Sequence, residues 1–511
     1  MTTLELDRPP GVAAARDRTF AGLRAAMPPG IMGEALRCSG QLLAELPHRP
    51  ELERNLVLVA FGGGKDSAYM LAFVRAMQLI LDRVHGRTFR MRVATNRHPG
   101  MPRAVMENID REYHALGLYD DPDCELLLVD GDEISEFDVA SPQREHVIRR
   151  NRIDILMTGH RTFADGRPTF CNSCNLSVFN AFGLAASYGE GADVLITGDS
   201  PQEQHQYTFW VGRLARRLRT QGTPQPTPDK RNSNGFGRIL GQLDDISQAY
   251  FADIHGADPA AITERRVNSA VPDRLKFFTV YGETAYRAGD HFDLLTGFLG
   301  FQFDDLAFSF TESDCANPAL MAHLRGLKAE HVFDRSYDEG LTEYVSFALN
   351  LMRKKDIPEE LVEMMRVRYA SADAPLRMRQ AADEYALKTF GLTDEQLVCM
   401  TYSPFVGQGE GLDRFFEREH PHLTARLADI HALLAGTRND AELESELERI
   451  SGLTPSQLRV LYSRPAHSKS AQSKETTPVI DLILAGDPHK AVIETRHSKD
   501  GPDTFEQISG R

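Results

Sequence analysis

A chain of 511 residues exceeds a single hydrophobic core, and 41% apolar with 26% charged side chains is the composition of packed domains, two or three of them. A formal net charge of −15 argues against general nucleic-acid affinity. No apolar run reaches bilayer length and the acidic stretch 1–7 lacks a secretory core, so a cytoplasmic protein without membrane contact is expected.

In chain order, residues 1–54 read as an N-terminal helical extension broken at Pro9-Pro10 and Pro28-Pro29. Strand-like runs follow at 55–61, 88–95, 124–130, 153–158 and 193–198. Helical runs lie near 66–84, 102–117, 141–151, 174–188 and 202–219. This alternation predicts βαβ units and an α/β fold with a doubly wound parallel sheet, whose carboxyl edge should hold Gly62 to Ser67, Asn96, Asp130, Gly159-His160 and Gly198-Asp199. Residues 220–235, rich in Pro, Thr and Asn, read as a lid loop, and strands are expected at 275–281 and 304–310. The division is 55–330 for this domain, 331–465 for an all-helical one that carries much of the acid excess, and 466–511 for a linker, a short helix at 479–485 and a polar tail.

Within the helical part, Gly391-Leu392-Thr393-Asp394-Glu395-Gln396-Leu397 echoes Gly452-Leu453-Thr454-Pro455-Ser456-Gln457-Leu458. Thr393 and Thr454 stand as helix N-caps with Gln396 and Gln457 at the capping-box position. Basic clusters at Arg149, Arg150, Arg152 and at Arg213, Arg216, Arg217, Arg219 are read first as solvated helix faces, with local phosphate contact the other reading.

The most informative stretch is Asn55 to Phe61 running into Gly62-Gly63-Gly64-Lys65-Asp66-Ser67. A buried strand, a tight glycine loop and a helix start are expected there. Glycines let the backbone turn close to a ligand, and the unpaired amides and dipole of a helix N-terminus attract an anion. Lys65 adds a charge and Ser67 a hydroxyl, so the stretch reads as a phosphate cradle, though its spacing is not that of the Walker loop.

The loop resembles the PP-loop of the N-type ATP pyrophosphatases, whose signature is Ser-Gly-Gly-x-Asp-Ser. Gly63, Gly64, Asp66 and Ser67 match, and Gly62 stands in place of the first serine. The resemblance implies an adenine nucleotide alpha hydrolase-like fold, ATP held by Gly62, Gly63, Gly64, Lys65, Asp66 and Ser67, and Mg²⁺ on Asp66 and Asp199. Lys65, Asp66 and Asp199 would act in catalysis; Asp199 also reads as a helix N-cap. His160 and His205 are conceivable acid/base groups, each more readily structural.

Six cysteines are too few for a disulfide framework. Cys171-Asn172-Ser173-Cys174, expected to open a helix after a loop at 163–170, is half a metal signature, with Cys315 the best third member. Cys38, Cys124 and Cys399 read as core. The arrangement is similar to that of tRNA 2-thiolation enzymes, which would make Cys171, Cys174 and Cys315 ligands of a [4Fe–4S] cluster, and also to sugar amidotransferases. A zinc site, a redox or catalytic pair at Cys171 and Cys174, and plain structural thiols stay open.

The resemblance implies an AMP-forming adenylating enzyme acting on a carbonyl or carboxyl oxygen of a small-molecule or carrier-protein-bound substrate. Sulfur insertion stands ahead of amide or amidine formation from ammonia or an amine, and a nucleotide-binding module without turnover is the rival class. A sulfur- or ammonia-donor protein and a homodimer are further partners to consider, and nucleic acid is not expected.

Overall fold

The computed structural model describes residues 10–198, 211–216, 218, 235–280, 291, 293–304, 306, 315–354, 359–465, 478–485 and 490–510. Helices α1 (Pro10–Ala26) and α2 (Pro29–Glu45) each start on a proline, where its fixed φ suits the first turn and its missing N–H costs nothing. The chain then alternates through β1 (Leu56–Ala60), α3 (Lys65–His85), β2 (Arg90–Asn96), α4 (Arg103–Ala115) and β3 (Cys124–Asp130). A short hairpin strand, β4 (Glu133–Glu136), leads to α5 (Glu145–Thr162), α6 (Gly166–Ser187), β5 (Val194–Ile196), α7 (Gly235–His255) and β6 (Lys276–Phe278).

The six strands lie in the order β4-β3-β2-β1-β5-β6, and every pairing is parallel except β3 with β4. The protein is therefore an α/β fold. Its sheet is covered on both faces, which is compatible with double winding. Val57, Val59, Met91 and Val93 face the core that contains α3 and α4, while Leu58, Ala60, Leu127 and Leu195 pack with Ala181 and Ala185 of α6 and Leu240 and Leu243 of α7. Burial on both faces is why these strands read as continuous apolar runs.

Two expectations are corrected. Residues 153–158 are not a strand but the middle of α5, where Asp154 to Thr162 are all buried. A short apolar run has no periodicity that separates a buried strand from a helix packed on every side. The 490–510 stretch is not a polar tail but an antiparallel hairpin, β7 (Lys490–Thr495) with β8 (Thr504–Ser509). Polar anchors hold it: Asp165 accepts from Ser509 N (3.0 Å) and Oγ (2.8 Å), and Arg325 pairs with Glu506 at 2.7 Å. The expected strand at 304–310, helix at 202–219, lid at 220–235 and linker at 466–478 lie wholly or largely outside the described residues.

From α8 (Asn317–Leu327) to Ser463 the described elements are all helical. Both expected capping boxes form, Thr393 with Gln396 and Thr454 with Gln457. Each follows a helix closed by a left-handed glycine, Gly391 (φ 67°) and Gly452 (φ 71°). The two corners converge on Arg152 of α5: a Cβ at Gly391 would lie 3.8 Å from its Cδ, one at Gly452 2.8 Å from its Nη2, and Arg152 donates to Gln396 Oε1 at 3.1 Å. Arg152 thus belongs to packing, and burial lowers its pKa. Arg150 pairs with Asp132 at 3.3 Å, whereas Arg213 and Arg216 are exposed.

Glu112 on α4 is fully buried with neither carboxylate oxygen hydrogen-bonded among the described residues, and burial raises its pKa well above the usual range. The unfolded chain ionises above the ordinary carboxylate value while the folded chain stays protonated, so Glu112 destabilises the fold progressively as pH rises. Glu112→Gln is expected to raise the melting temperature more at pH 8 than at pH 5 in paired thermal melts.

Candidate functional site

The sheet order makes β1 the point where the topology turns. The chain leaves β1 for β2 on one side, and after β3 and β4 it crosses back to β5 on the other. Loops at the carboxyl ends of strands flanking such a point form a crevice. The glycine loop lies there, as the sequence predicts, and Gly64 is the N-cap of α3.

The loop's geometry follows from its residues. Gly63 has φ 73°, a left-handed conformation, and a Cβ there would lie 2.7 Å from Ile109 Cγ1 and 2.9 Å from Val105 Cγ1 on α4. Ser67 Oγ donates to Gly64 O (2.8 Å), and Ala68 N donates to the same carbonyl (2.9 Å), which closes the first turn of α3. Lys65 is 4% exposed, and its Nζ lies 2.8 Å from Asp66 Oδ1.

Gly62, Gly64, Asp66 and Ser67 border a cavity of about 1220 Å³, somewhat larger than the usual small-molecule pocket. Thr197 and Gly198 at the end of β5 close it opposite Ser67, where a Cβ on Gly198 would stand 3.8 Å from Ser67 Cα. Asn96 borders it from the end of β2, as expected, and Cys174 and Cys315 from a third side. Phe236 and Phe277, with ring centroids 5.7 Å apart, contribute an aromatic flank.

The cysteines are placed unequally. Helix α6 begins at Gly166, so Cys171 and Cys174 lie inside it and do not open it; Pro168 fits within the first turn, and the preceding loop is correspondingly short. Cys174 is half-buried on the cavity, Cys315 is buried and borders it, and Cys171 is 2% exposed within the apolar core. Cys171 thus does not join Cys174 and Cys315 at the cavity, and the three thiols do not fit one cluster there.

Other expected residues are elsewhere. Asp199 and His205 lie outside the described residues. Asp130 is buried and paired with Arg97. Gly159 and His160 are not at a strand end but inside α5. His160 is fully buried beside Phe405, without a hydrogen-bond partner among the described residues, and burial lowers its pKa to about 3.

His98 is a cavity residue that the sequence reading missed; its only signal was its place just past β2. Its Nδ1 accepts from Gly100 N (3.0 Å), its Nε2 faces the Asn151 amide at 3.2 Å, and burial lowers its pKa to about 4 despite the opposing charge of Asp154. It is neutral at physiological pH and offers the cavity a polar but uncharged surface.

No protein family, no curated protein and no solved structure matches this chain.

Two outcomes follow from this geometry. Gly63→Ala places a Cβ in a left-handed conformation against Ile109 and Val105, and it should cost about 2 kcal/mol or more of stability by chemical denaturation, whereas Gly198→Ala should be near neutral. Because His98 and His160 are uncharged when folded, the unfolded chain takes up their protons first as pH falls below about 6.5. Stability should therefore decline from pH 6.5 toward 4, and His160→Leu should flatten that decline in denaturation curves.

Proposed function

We propose that the chain is an ATP-dependent, AMP-forming adenylating enzyme of the PP-loop kind, with the corresponding adenine nucleotide alpha hydrolase-like version of its α/β fold. The observation that carries this reading is a glycine loop at the switch point of a parallel sheet, opening the N-terminus of a 21-residue helix into a cavity large enough for a nucleotide and an acceptor. The site fits a polyphosphate. First-turn amides of a helix have no intrahelical acceptor, Gly62 is partly exposed, and Ser67 borders the cavity. Asp66, half-buried at the same rim, suits a Mg²⁺ ion accompanying the nucleotide.

In this reading, ATP lies with its terminal phosphates on the loop. A carbonyl or carboxyl oxygen of the acceptor attacks the α-phosphorus, an O–P bond forms, and the α,β-bridging bond breaks to release pyrophosphate. The loop amides meet the charge that develops on the leaving group, an electrostatic contribution that is often the largest one in such sites, while Lys65, which does not line the cavity, acts only from behind Asp66. The adenylated carbon then accepts a nucleophile and AMP departs. The placement of Cys174 and Cys315 on the cavity favours sulfur over nitrogen. The mixed polar and aromatic wall suits a small or carrier-tethered acceptor.

Purified protein given ATP, Mg²⁺ and a panel of carboxylate and amide acceptors should release AMP and pyrophosphate in equal amounts. Asp66→Asn should lower turnover by about 100-fold or more. Cys174→Ser should retain pyrophosphate release but lose thio-product when a sulfide source is supplied. Formation of ADP and orthophosphate, or no nucleotide affinity by calorimetry, would refute the reading. A product carrying nitrogen in place of sulfur, formed when ammonia and sulfide are both offered to the unaltered protein, would move the assignment to nitrogen.

A further inference from the structure

Away from the cavity, α8, helix Ala374–Phe390 and helix Asp394–Tyr402 bring His323, Asp383 and Asp394 together, with one ligand-type atom from each within 4.8 Å of the others. His323 is fully buried. Its Nε2 lies 3.0 Å from Asp383 Oδ1, yet the two atoms are not aligned as donor and acceptor, and both are buried without a hydrogen-bond partner among the described residues. A buried imidazole nitrogen and a buried carboxylate oxygen left this way are costly and call for a bound ion or water.

We propose that His323 Nε2, Asp383 and Asp394 form a binding site for a divalent transition-metal ion of the Zn²⁺ class.

Three features carry the assignment. Ligands bound at about 2.1 Å to one ion lie about 3.0–3.4 Å apart, so His323 and Asp383 already stand at ligand spacing, and exposed Asp394 can close the remaining distance by a rotamer change. The second ring nitrogen, Nδ1, is 2.9 Å from Tyr337 Oη. A proton on Nδ1 donated to that oxygen leaves the Nε2 lone pair facing the carboxylates, the outer-shell arrangement that orients metal-ligating histidines. The two carboxylates also crowd each other, with ligand-type oxygens within 4.8 Å, while nearby Arg379 is itself engaged with Glu330 at 2.8 Å. A divalent ion would neutralise that repulsion. One imidazole with two carboxylates suits Zn²⁺ better than Mg²⁺ or Ca²⁺, which favour all-oxygen sets, and leaves a position for water. The site would clamp the helix that follows Cys315 to the capped helical unit beginning at Asp394.

The test is independent of nucleotide chemistry. The full chain is stripped with chelator, dialysed against Zn²⁺, and its metal content and melting temperature are measured. Near-stoichiometric zinc and a higher melting temperature are expected. The Cys171→Ser/Cys174→Ser variant should retain both effects, and Asp383→Asn/Asp394→Asn should bind zinc at least 10-fold more weakly. Because a double change near the core can disturb folding, Asp394→Asn alone, at an exposed position, serves as the second variant, with far-ultraviolet circular dichroism as the fold control; it too should weaken zinc binding. Absence of zinc uptake, zinc lost with the cysteines, or zinc affinity unchanged in the aspartate variants would each overturn the proposal.

Discussion

Helix α3 is enclosed so completely that it dictates what its ends can do. Every residue from Ala68 to Leu81 is buried, including Arg75 and Gln78. A helix sealed in this way cannot satisfy a charged side chain except through fixed partners. Arg75 Nη2 lies 2.9 Å from Asp121 and its Nε donates to Leu116 O at 3.1 Å, while Gln78 donates to Phe89 O at 3.0 Å. Such partners orient the helix about its own axis, which fixes the direction in which its first turn faces. The glycine loop inherits its position from this packing, since Gly63 can pass between β1 and α4 only without a side chain.

The same carboxylate connects the N-terminal helices to that framework. Asp121 accepts from Arg16 Nε on α1 at 2.8 Å as well as pairing with Arg75, and Arg16 further contacts Asp82 (3.1 Å) and Asp123 (2.6 Å). Removing one member of a buried set leaves uncompensated charge, which costs far more than the intact set contributes. Helix α1 is thus coupled to the sheet by charge as well as by apolar contact. At the other end of the chain, Asp165 at the N-cap of α6 makes no side-chain cap bond and instead accepts from Ser509 N and Oγ, so β8 closes over the start of the helix that carries Cys171 and Cys174.

These connections explain which features could be read from residues alone. Strand, loop and helix around Gly62 were legible because each has a local cause: β-favouring residues, glycines with a positive φ, and an N-cap. The capping boxes at Thr393 and Thr454 were legible for the same reason. The run at 153–158 was not, because its helical state is set by α7 and the C-terminal helices packed around it, and the unequal burial of Cys171 and Cys174 depends on where α6 begins. The hairpin at 490–510 was hidden because its alternation is weak, with Val492 and Phe505 exposed and its anchorage supplied by distant Arg325 and Asp165. The metal-like grouping at His323 joins residues from three helices with no sequence spacing to announce it.

The pairing of Lys65 with Asp66 bears directly on how the site would receive an anion. An ammonium group at 4% exposure is costly unless a carboxylate compensates it, and Asp66, with its side chain 35% exposed, supplies that compensation from the cavity side. The two charges therefore need not be solvated separately while the cavity holds no polyphosphate. In the proposed reading, an arriving phosphate would change the balance at Asp66, the member of the pair that borders the cavity, and a cation accompanying the phosphate would offset the added negative charge there. A polyphosphate alone would repel Asp66, whereas a cation-bound polyphosphate would meet complementary charge there. Under the proposed reading, this neighbouring pair would favour a nucleotide carrying its metal over a bare anion.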